Sequence, residues 1–272
     1  MSRGSDFSRL SLDKQRSVLA LLQKKSAGRQ SIRPSPRRQS GEPFPLSFSQ
    51  QRLWFLDQID PDNLAYNLTN SLRLSGRLEV ASLRRAFSEI VRRHESLRTV
   101  FELFEGEPVQ RVLPASDERF QLPELDLSAL PDAVRERELV RLVALTSALP
   151  FDVQRGPHLR VFLVRLTAQE HALLIAMHHI ASDGWSVGLV VRETTQLYSE
   201  FVEGRPSPLP PLELQYADWS DWQREHLSGA VLEEQLQFWK ERLATAPPLL
   251  PLATDRPRPP VQTSRGDVVP FV

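Results

Sequence analysis

The stretch HALLIAMHHIASDGWS, His171 to Ser186, decides how this chain folds. Ala172 to Met177 is an unbroken apolar run of six residues, the longest aliphatic stretch in the chain. Such a run suits a strand buried on both faces and is far short of the roughly 20 residues that span a bilayer. Two histidines follow at the strand's end, then a turn at Asp183-Gly184, then a helix from about Ser186 to Val202. Strand, loop and helix in that order place the histidines where ligands collect in α/β sheets, at the C-terminal end of a strand.

Working outward, Leu159 to Leu166 reads as a neighbouring strand, joined through the turn Thr167 to Glu170. Val80, Leu83, Phe87, Ile90, Val91 and Leu97 recur at three- and four-residue spacing, which predicts an amphipathic helix. Thr99 to Phe104 and Val109 to Leu113 flank Glu105-Gly106-Glu107-Pro108 as a hairpin. A further helix is expected from about Asp132 to Leu149, with Val134, Leu139, Leu142 and Val143 inward, and a last one from about Ala230 to Leu243. No internal repeat is visible. The pattern is a mixed α/β lobe, a two-layer sandwich.

The 272 residues carry 34 basic and 34 acidic side chains, 22 prolines and no cysteine. Without cysteine, disulfides, thiolate metal sites and cysteine nucleophiles are all excluded. The N-terminus lacks the apolar core of a secretory signal, and a cytoplasmic location is expected. The neutral total is uneven. Lys14 to Gly41 holds eight basic residues and no acidic one, so the remainder carries −8. The expected organisation is a basic helical segment over 1–28, capped by Ser11 and running from Leu12 to Lys25, then a flexible Pro/Arg/Ser linker over 29–43. The lobe occupies 44–250, and a proline-rich connection follows over 251–272. The basic segment reads either as a solvated tail or as a docking element for an acidic partner tail. Nucleic acid is disfavoured, since no aromatic residue between Lys14 and Gly41 could stack on a base.

Successive strand side chains point to opposite faces, so His178 and His179 cannot share one role. A metal site needs three or four convergent ligands, and the splayed histidines with Asp183 do not supply them. Two satisfied core histidines, or one imidazole working as a general base, remain as readings. Ser182 sits in no G-x-S-x-G elbow, and no glycine-rich phosphate loop occurs anywhere. Gly184 is expected to use a positive φ and to leave room for close approach of a substrate. Trp54, Phe55 and Leu56 read as core or tunnel-wall packing, and Trp219, Trp222 and Trp239 as helix anchors. His94 reads as a helix-terminus residue.

The segment MHHIASDGWS, Met177 to Ser186, resembles the HHxxxDG signature of condensation domains from nonribosomal peptide synthetases, in the chloramphenicol-acetyltransferase-like fold. Four further blocks are similar to the family's motifs and stand in its order: LSFSQQRLWFLDQIDPDNLAYNL (Leu46 to Leu68), RRHESLRTVF (Arg92 to Phe101), YADWSDWQRE (Tyr216 to Glu225) and LPLATDRPRP (Leu250 to Pro259). The first block is most similar to the subtype that accepts an L-configured donor.

This resemblance implies amide-bond formation between substrates tethered to two carrier proteins, a donor upstream and an acceptor downstream. Each would be held on phosphopantetheine, with no cofactor or metal bound by the domain itself. His179 matches the catalytic histidine of the motif, and His178, Asp183 and Gly184 match its supporting positions. Asp183 is expected to pair with an arginine of RRHESLRTVF, Arg98 first and Arg93 second. Trp185 and Ser186 are expected on the substrate tunnel. An aspartate in place of His178 would mark a heterocyclising relative, so cyclisation is disfavoured.

A complete domain of the family has two lobes. The chain is therefore expected to be the N-terminal lobe, with weak or no activity alone and an exposed face toward the second lobe. Two alternatives are carried: a non-catalytic docking fragment of a synthetase subunit, and a coenzyme A-dependent acyltransferase of the same fold.

Overall fold

The structure is a computed structural model that describes residues 31–115, 120–250, 253–257 and 260. The expected helix over Leu12 to Lys25 lies outside the described residues. Internal contacts divide the chain into Met1–Arg33 and Pro34–Val272, and the fold belongs to the second unit.

That unit is built around a four-stranded sheet of order β2-β7-β6-β5. Its members are β2 (Asn67–Ser75), β5 (Glu124–Asp126), β6 (Leu159–Arg165) and β7 (Glu170–His178). β2 and β6 flank β7 antiparallel, and β5 runs parallel to β6. β7 is central and buried from His171 to His178, which is why its apolar run does not alternate. Leu173, Ile175 and Met177 face one apolar core, while Ala172 and Leu174 face a second.

Helices α3 (Val80–Arg93) and α5 (Gly184–Val202) close the first face with Leu83, Phe87, Ile90, Val190 and Leu197. Helix α4 (Asp132–Ser147) closes the other with Leu139, Leu142 and Val143, so the expected sandwich carries a second, smaller helical layer. Val134, expected inward on α4, is exposed instead. It lies in the first turn, where the helix has not yet met the sheet.

A second sheet of order β1-β4-β3 combines β1 (Phe44–Pro45) with the hairpin β3 (Thr99–Phe104) and β4 (Glu107–Val112). Its two-residue turn is Glu105-Gly106, and both residues have positive φ, 53° and 85°. This is the geometry that matches the right-handed strand twist.

Three of the longer elements went unread in the sequence, besides the short Arg37–Ser40, β1 and β5. Helix α2 (Phe48–Ile59) begins in a capping box in which Ser47 and Gln50 bond each other's backbone. Helix α6 (Tyr216–His226) and the edge strand β2 are the others. Three of the four buried positions on α6, Asp218, Ser220 and Asp221, are polar, and Ala217 is the fourth. Helix α7 (Gly229–Leu243) has no buried residue, and Trp239 on it is 56% exposed rather than an anchor. Phe55 of α2 is likewise exposed, whereas Trp54 packs beside Leu46, Phe101, Val153 and Ile180.

The segment expected as a flexible linker is held on the lobe from Ser35 onward. Ser35 is buried, and Arg37 to Ser40 form a short helix, α1. Asp218 accepts hydrogen bonds from the Ser35 backbone at 2.9 Å and from Arg38 Nε at 2.6 Å and Nη2 at 3.0 Å. Arg38 also reaches Glu95, and Asp221 accepts from the Ser35 hydroxyl and from Arg37. Of the arginines that read as solvated linker charge, Arg38 pairs with the buried Asp218 and the half-exposed Arg37 with the largely buried Asp221.

Candidate functional site

β7 ends at His178, and the two histidines part there. The His178 ring turns inward, 5.8 Å from the ring of Phe151 and 6.4 Å from that of His158. Its Nδ1 accepts from the Ile180 backbone at 3.2 Å, and its carbonyl accepts from the Ser182 hydroxyl at 2.9 Å. Burial, with the neighbouring His179 and Arg160 adding to it, pushes the His178 imidazole down to about 4. It is therefore a neutral structural ring at physiological pH. His179 faces the other way, is exposed, and is fixed through its backbone N–H, which donates to the Tyr66 carbonyl at 2.9 Å.

His179 lines a cavity of about 450 Å³. Asp183 and Ser186 line it with residues that the sequence did not single out: Arg52 of α2, Tyr66 before β2 and Tyr216 of α6. All three lie inside two of the quoted motif blocks, and only the fold brings those blocks around one opening. The Tyr216 hydroxyl sits 3.0 Å from Ser47 Oγ. Burial pushes this phenol upward against the effect of that bond, and Asp183 adds to the rise.

Asp183 takes a different partner from the one expected. It is the N-cap of α5: Oδ1 accepts from the Ser186 backbone at 2.8 Å and from its hydroxyl at 2.7 Å, and Ser186 Oγ accepts in return from the Asp183 N–H at 3.2 Å. The Ser186 hydroxyl and backbone donors hold this carboxyl below its usual range. Arg98 instead donates to the Leu113 carbonyl and to Glu95 at 3.3 Å, and Arg93 pairs with Glu193 at 3.1 Å. The reason is local: a carboxylate at a helix start finds orphan N–H donors two and three residues on, before any long side chain can reach it. His94, at the C-terminus of α3 as expected, bonds Glu193 at 2.8 Å.

Gly184 is the first residue of α5, does not have positive φ, and a Cβ there would meet no atom within 4 Å. Trp185 is 90% exposed and is not part of the cavity wall; Ser186 is. Replacing Asp183 with Ala removes a cap and costs about 1 kcal/mol. That is well short of the 3–5 kcal/mol expected for breaking a buried ion pair. Urea unfolding of Asp183→Ala measures the difference, and a loss above 3 kcal/mol would contradict the cap assignment.

Among the described residues no three His, Asp or Glu side chains converge as a metal site, and no helix is long and apolar enough to cross a membrane.

The arrangement of an HHxxxDG loop at the end of a central strand can be set against known proteins. The condensation-domain family model matches residues 41–271. The chain belongs to the condensation-domain family. The resemblance to nonribosomal peptide synthetases is borne out by its relatives. It is 48% identical over 249 residues to a linear gramicidin synthase of Brevibacillus parabrevis, a match that covers 92% of this chain and 5% of that protein. Among solved structures it is similar to the X-domain from teicoplanin biosynthesis, with TM-score 0.73 and 29% identity, covering 85% of this chain and 49% of that one. It shares the fold of the first condensation domain of the CDA synthetase, with TM-score 0.67 and 23% identity, covering 76% and 52%. The chain thus spans a small part of the gramicidin synthase and about half the length of the solved domains it matches.

Proposed function

We propose that this chain supplies the histidine wall of a site that joins two carrier-bound substrates through an amide bond. The acceptor's amine attacks the thioester carbonyl of the donor. A C–N bond forms, the C–S bond breaks, and the donor's phosphopantetheine leaves as a thiol. His179 takes the proton released as the amine adds, and that proton ends on the departing sulfur.

One observation carries the assignment: of the groups around the cavity, His179 is the base left for the task. The Asp183 carboxylate is engaged by two donors of Ser186, the Tyr216 phenol is tied to Ser47, and His178 is buried behind the strand. Two tethered reactants held together account for a large part of the rate, since effective molarities reach about 10⁵ M or more.

The partners in this reading are an upstream donor carrier and a downstream acceptor carrier. Because the chain matches about half of each solved domain, full turnover belongs to the two halves together, and the chain alone is expected to condense weakly or not at all.

The test uses donor and acceptor carriers loaded with their acyl groups. They are mixed with the chain alone and with the chain joined to the other half of the domain. In the joined protein His179→Ala lowers single-turnover amide formation roughly 100-fold with an unchanged melting temperature. Amide formation at the parent rate would remove His179 from the chemistry. Product arising only from free acyl-coenzyme A would replace the carrier reading with an acyltransferase.

A further inference from the structure

A second cavity, of about 400 Å³, lies on the other side of the Glu95–Arg98 turn from the His179 site. It exists because β5 pairs with β6 only from Leu163 to Arg165. The first half of β6, Leu159 to Phe162, therefore has β7 on one side and no strand on the other among the described residues. The space is walled by Val91, Leu97, Phe120, Leu159, Val161 and Phe162, largely continuous with the main apolar core.

Among the described residues its charged lining is of one sign: Arg98, Arg155 and Arg160, with no Asp or Glu. Arg98 and Arg160 are poorly compensated. Glu95 is shared between Arg38 at 2.6 Å and Arg98 at 3.3 Å, and Arg98 Nε is buried with no hydrogen-bond partner. Arg160 spends its guanidinium on the neutral carbonyls of Leu149 and Pro150 and on the face of Phe151, 3.9 Å away. Arg155, by contrast, is 87% exposed, approaches Asp152 at 3.8 Å and stands hydrated at the mouth. Burial lowers both Arg98 and Arg160 from the usual guanidinium value. A partly desolvated cation gains most from an anion that brings its own apolar body, and Arg98 Nη1 and Nη2 each keep a second hydrogen beyond the bonds to Leu113 and Glu95.

From the apolar walls and the cationic lining among the described residues we infer that this cavity binds an amphiphilic monocarboxylate, its carboxylate at Arg98 and its hydrocarbon tail against Leu97, Phe120 and Val161. The volume falls within the roughly 300–1,000 Å³ typical of small-molecule sites. This binding is independent of the amide-forming reading and is measured without turnover.

Isothermal titration of the full chain with decanoate, kept below its aggregation concentration, is the test, with decanol as the uncharged counterpart. Decanoate is expected to bind saturably at one per chain, and decanol at least tenfold more weakly. Arg98→Gln removes the charge and lowers decanoate affinity at least tenfold while leaving decanol unchanged. Gln121→Trp, at an exposed lining position, blocks the space and weakens both ligands. Should Arg98→Gln fail to fold, the carboxylate-to-alcohol ratio and Gln121→Trp decide the matter. Equal binding of decanoate and decanol, unsaturable heats, or undiminished decanoate binding in Gln121→Trp overturns the inference.

Discussion

Asp218→Ala is expected to destabilise the lobe by about 3–5 kcal/mol, the range for removing one partner of a buried ion pair. Asp218 is 1% exposed, yet it is a carboxylate. Oδ1 accepts from the Ser35 N–H and Arg38 Nε, and Oδ2 from Arg38 Nη2 and from the Gln215 N–H at 2.8 Å. Burial alone would push this carboxyl up, but the bonds from Arg38, Ser35 and Gln215 overcome it and hold the group below its ordinary value. Loss of the carboxylate leaves two backbone donors unpaired and one side of the Arg38 guanidinium facing a void, with Glu95 on the other. It also loosens the 35–40 strap, which Asp221 of α6 then holds at Ser35 and Arg37. The measurement is the urea midpoint with unchanged slope, compared with Asp218→Asn, which keeps the shape and loses less. A loss under 1 kcal/mol in Asp218→Ala would show the strap to be energetically idle.

Acidification from pH 7.5 to 5 is expected to cost about 4 kcal/mol of stability through two histidines. His158 is fully buried, neither ring nitrogen makes a well-formed hydrogen bond, and burial with the nearby His178 pushes it down to about 3 against the opposing effect of the Thr99 backbone. His178 behaves likewise, at about 4. The sign follows from linkage. Above about pH 6.5 both rings are neutral folded and unfolded, and neither contributes. Below it the unfolded chain takes up protons that the folded chain refuses, so stability falls until the folded rings titrate near 4 and 3. At pH 5 each histidine is 1.5 units below its unfolded value, or about 2 kcal/mol.

His171, lowered mainly by burial, adds in the same direction. The Asp218 contribution is lost only at lower pH, because a depressed carboxyl keeps its stabilising charge until pH falls toward its folded value. His158→Leu separates the terms. It removes two unpaired buried nitrogens, leaves stability at pH 7.5 equal or higher, and recovers about half of the acid loss. Denaturant unfolding at both pH values checks this. A parent protein that loses less than 1 kcal/mol between them would rule out buried neutral histidines.

The core and the location of the site were legible in the sequence because both rest on local pattern. The aliphatic run Ala172 to Met177 can only be buried, and the α3 periodicity points one face at the sheet. The two adjacent histidines on a strand must diverge, and they do: His178 inward, His179 at the cavity. The cap at Asp183 was within reach too, since Asp183 precedes Ser186 at capping-box spacing, but the expected arginine partner obscured it.

What stayed hidden depends on residues far apart in the chain. Arg38 and Asp218 are 180 positions apart, and nothing in the string RPSPRR distinguishes a solvated charge from the cation of a buried pair. Asp218 and Asp221 of α6 are buried where they bond that strap, so the helix's composition misleads. Arg52, Tyr66 and Tyr216 reach one cavity only after α2, β2 and α6 have packed.

The sequence by itself determined the strand that carries the histidines, the helices that enclose it and the family to which they belong. Hydrophobic periodicity and short motifs are local properties, and they survive without a fold. Only the tertiary structure decided which charges are paired, which histidines are kept neutral by burial, and which arginine faces an apolar cavity in place of Asp183. Ion pairing and desolvation depend on distance and exposure in space, and neither quantity exists until the chain has folded.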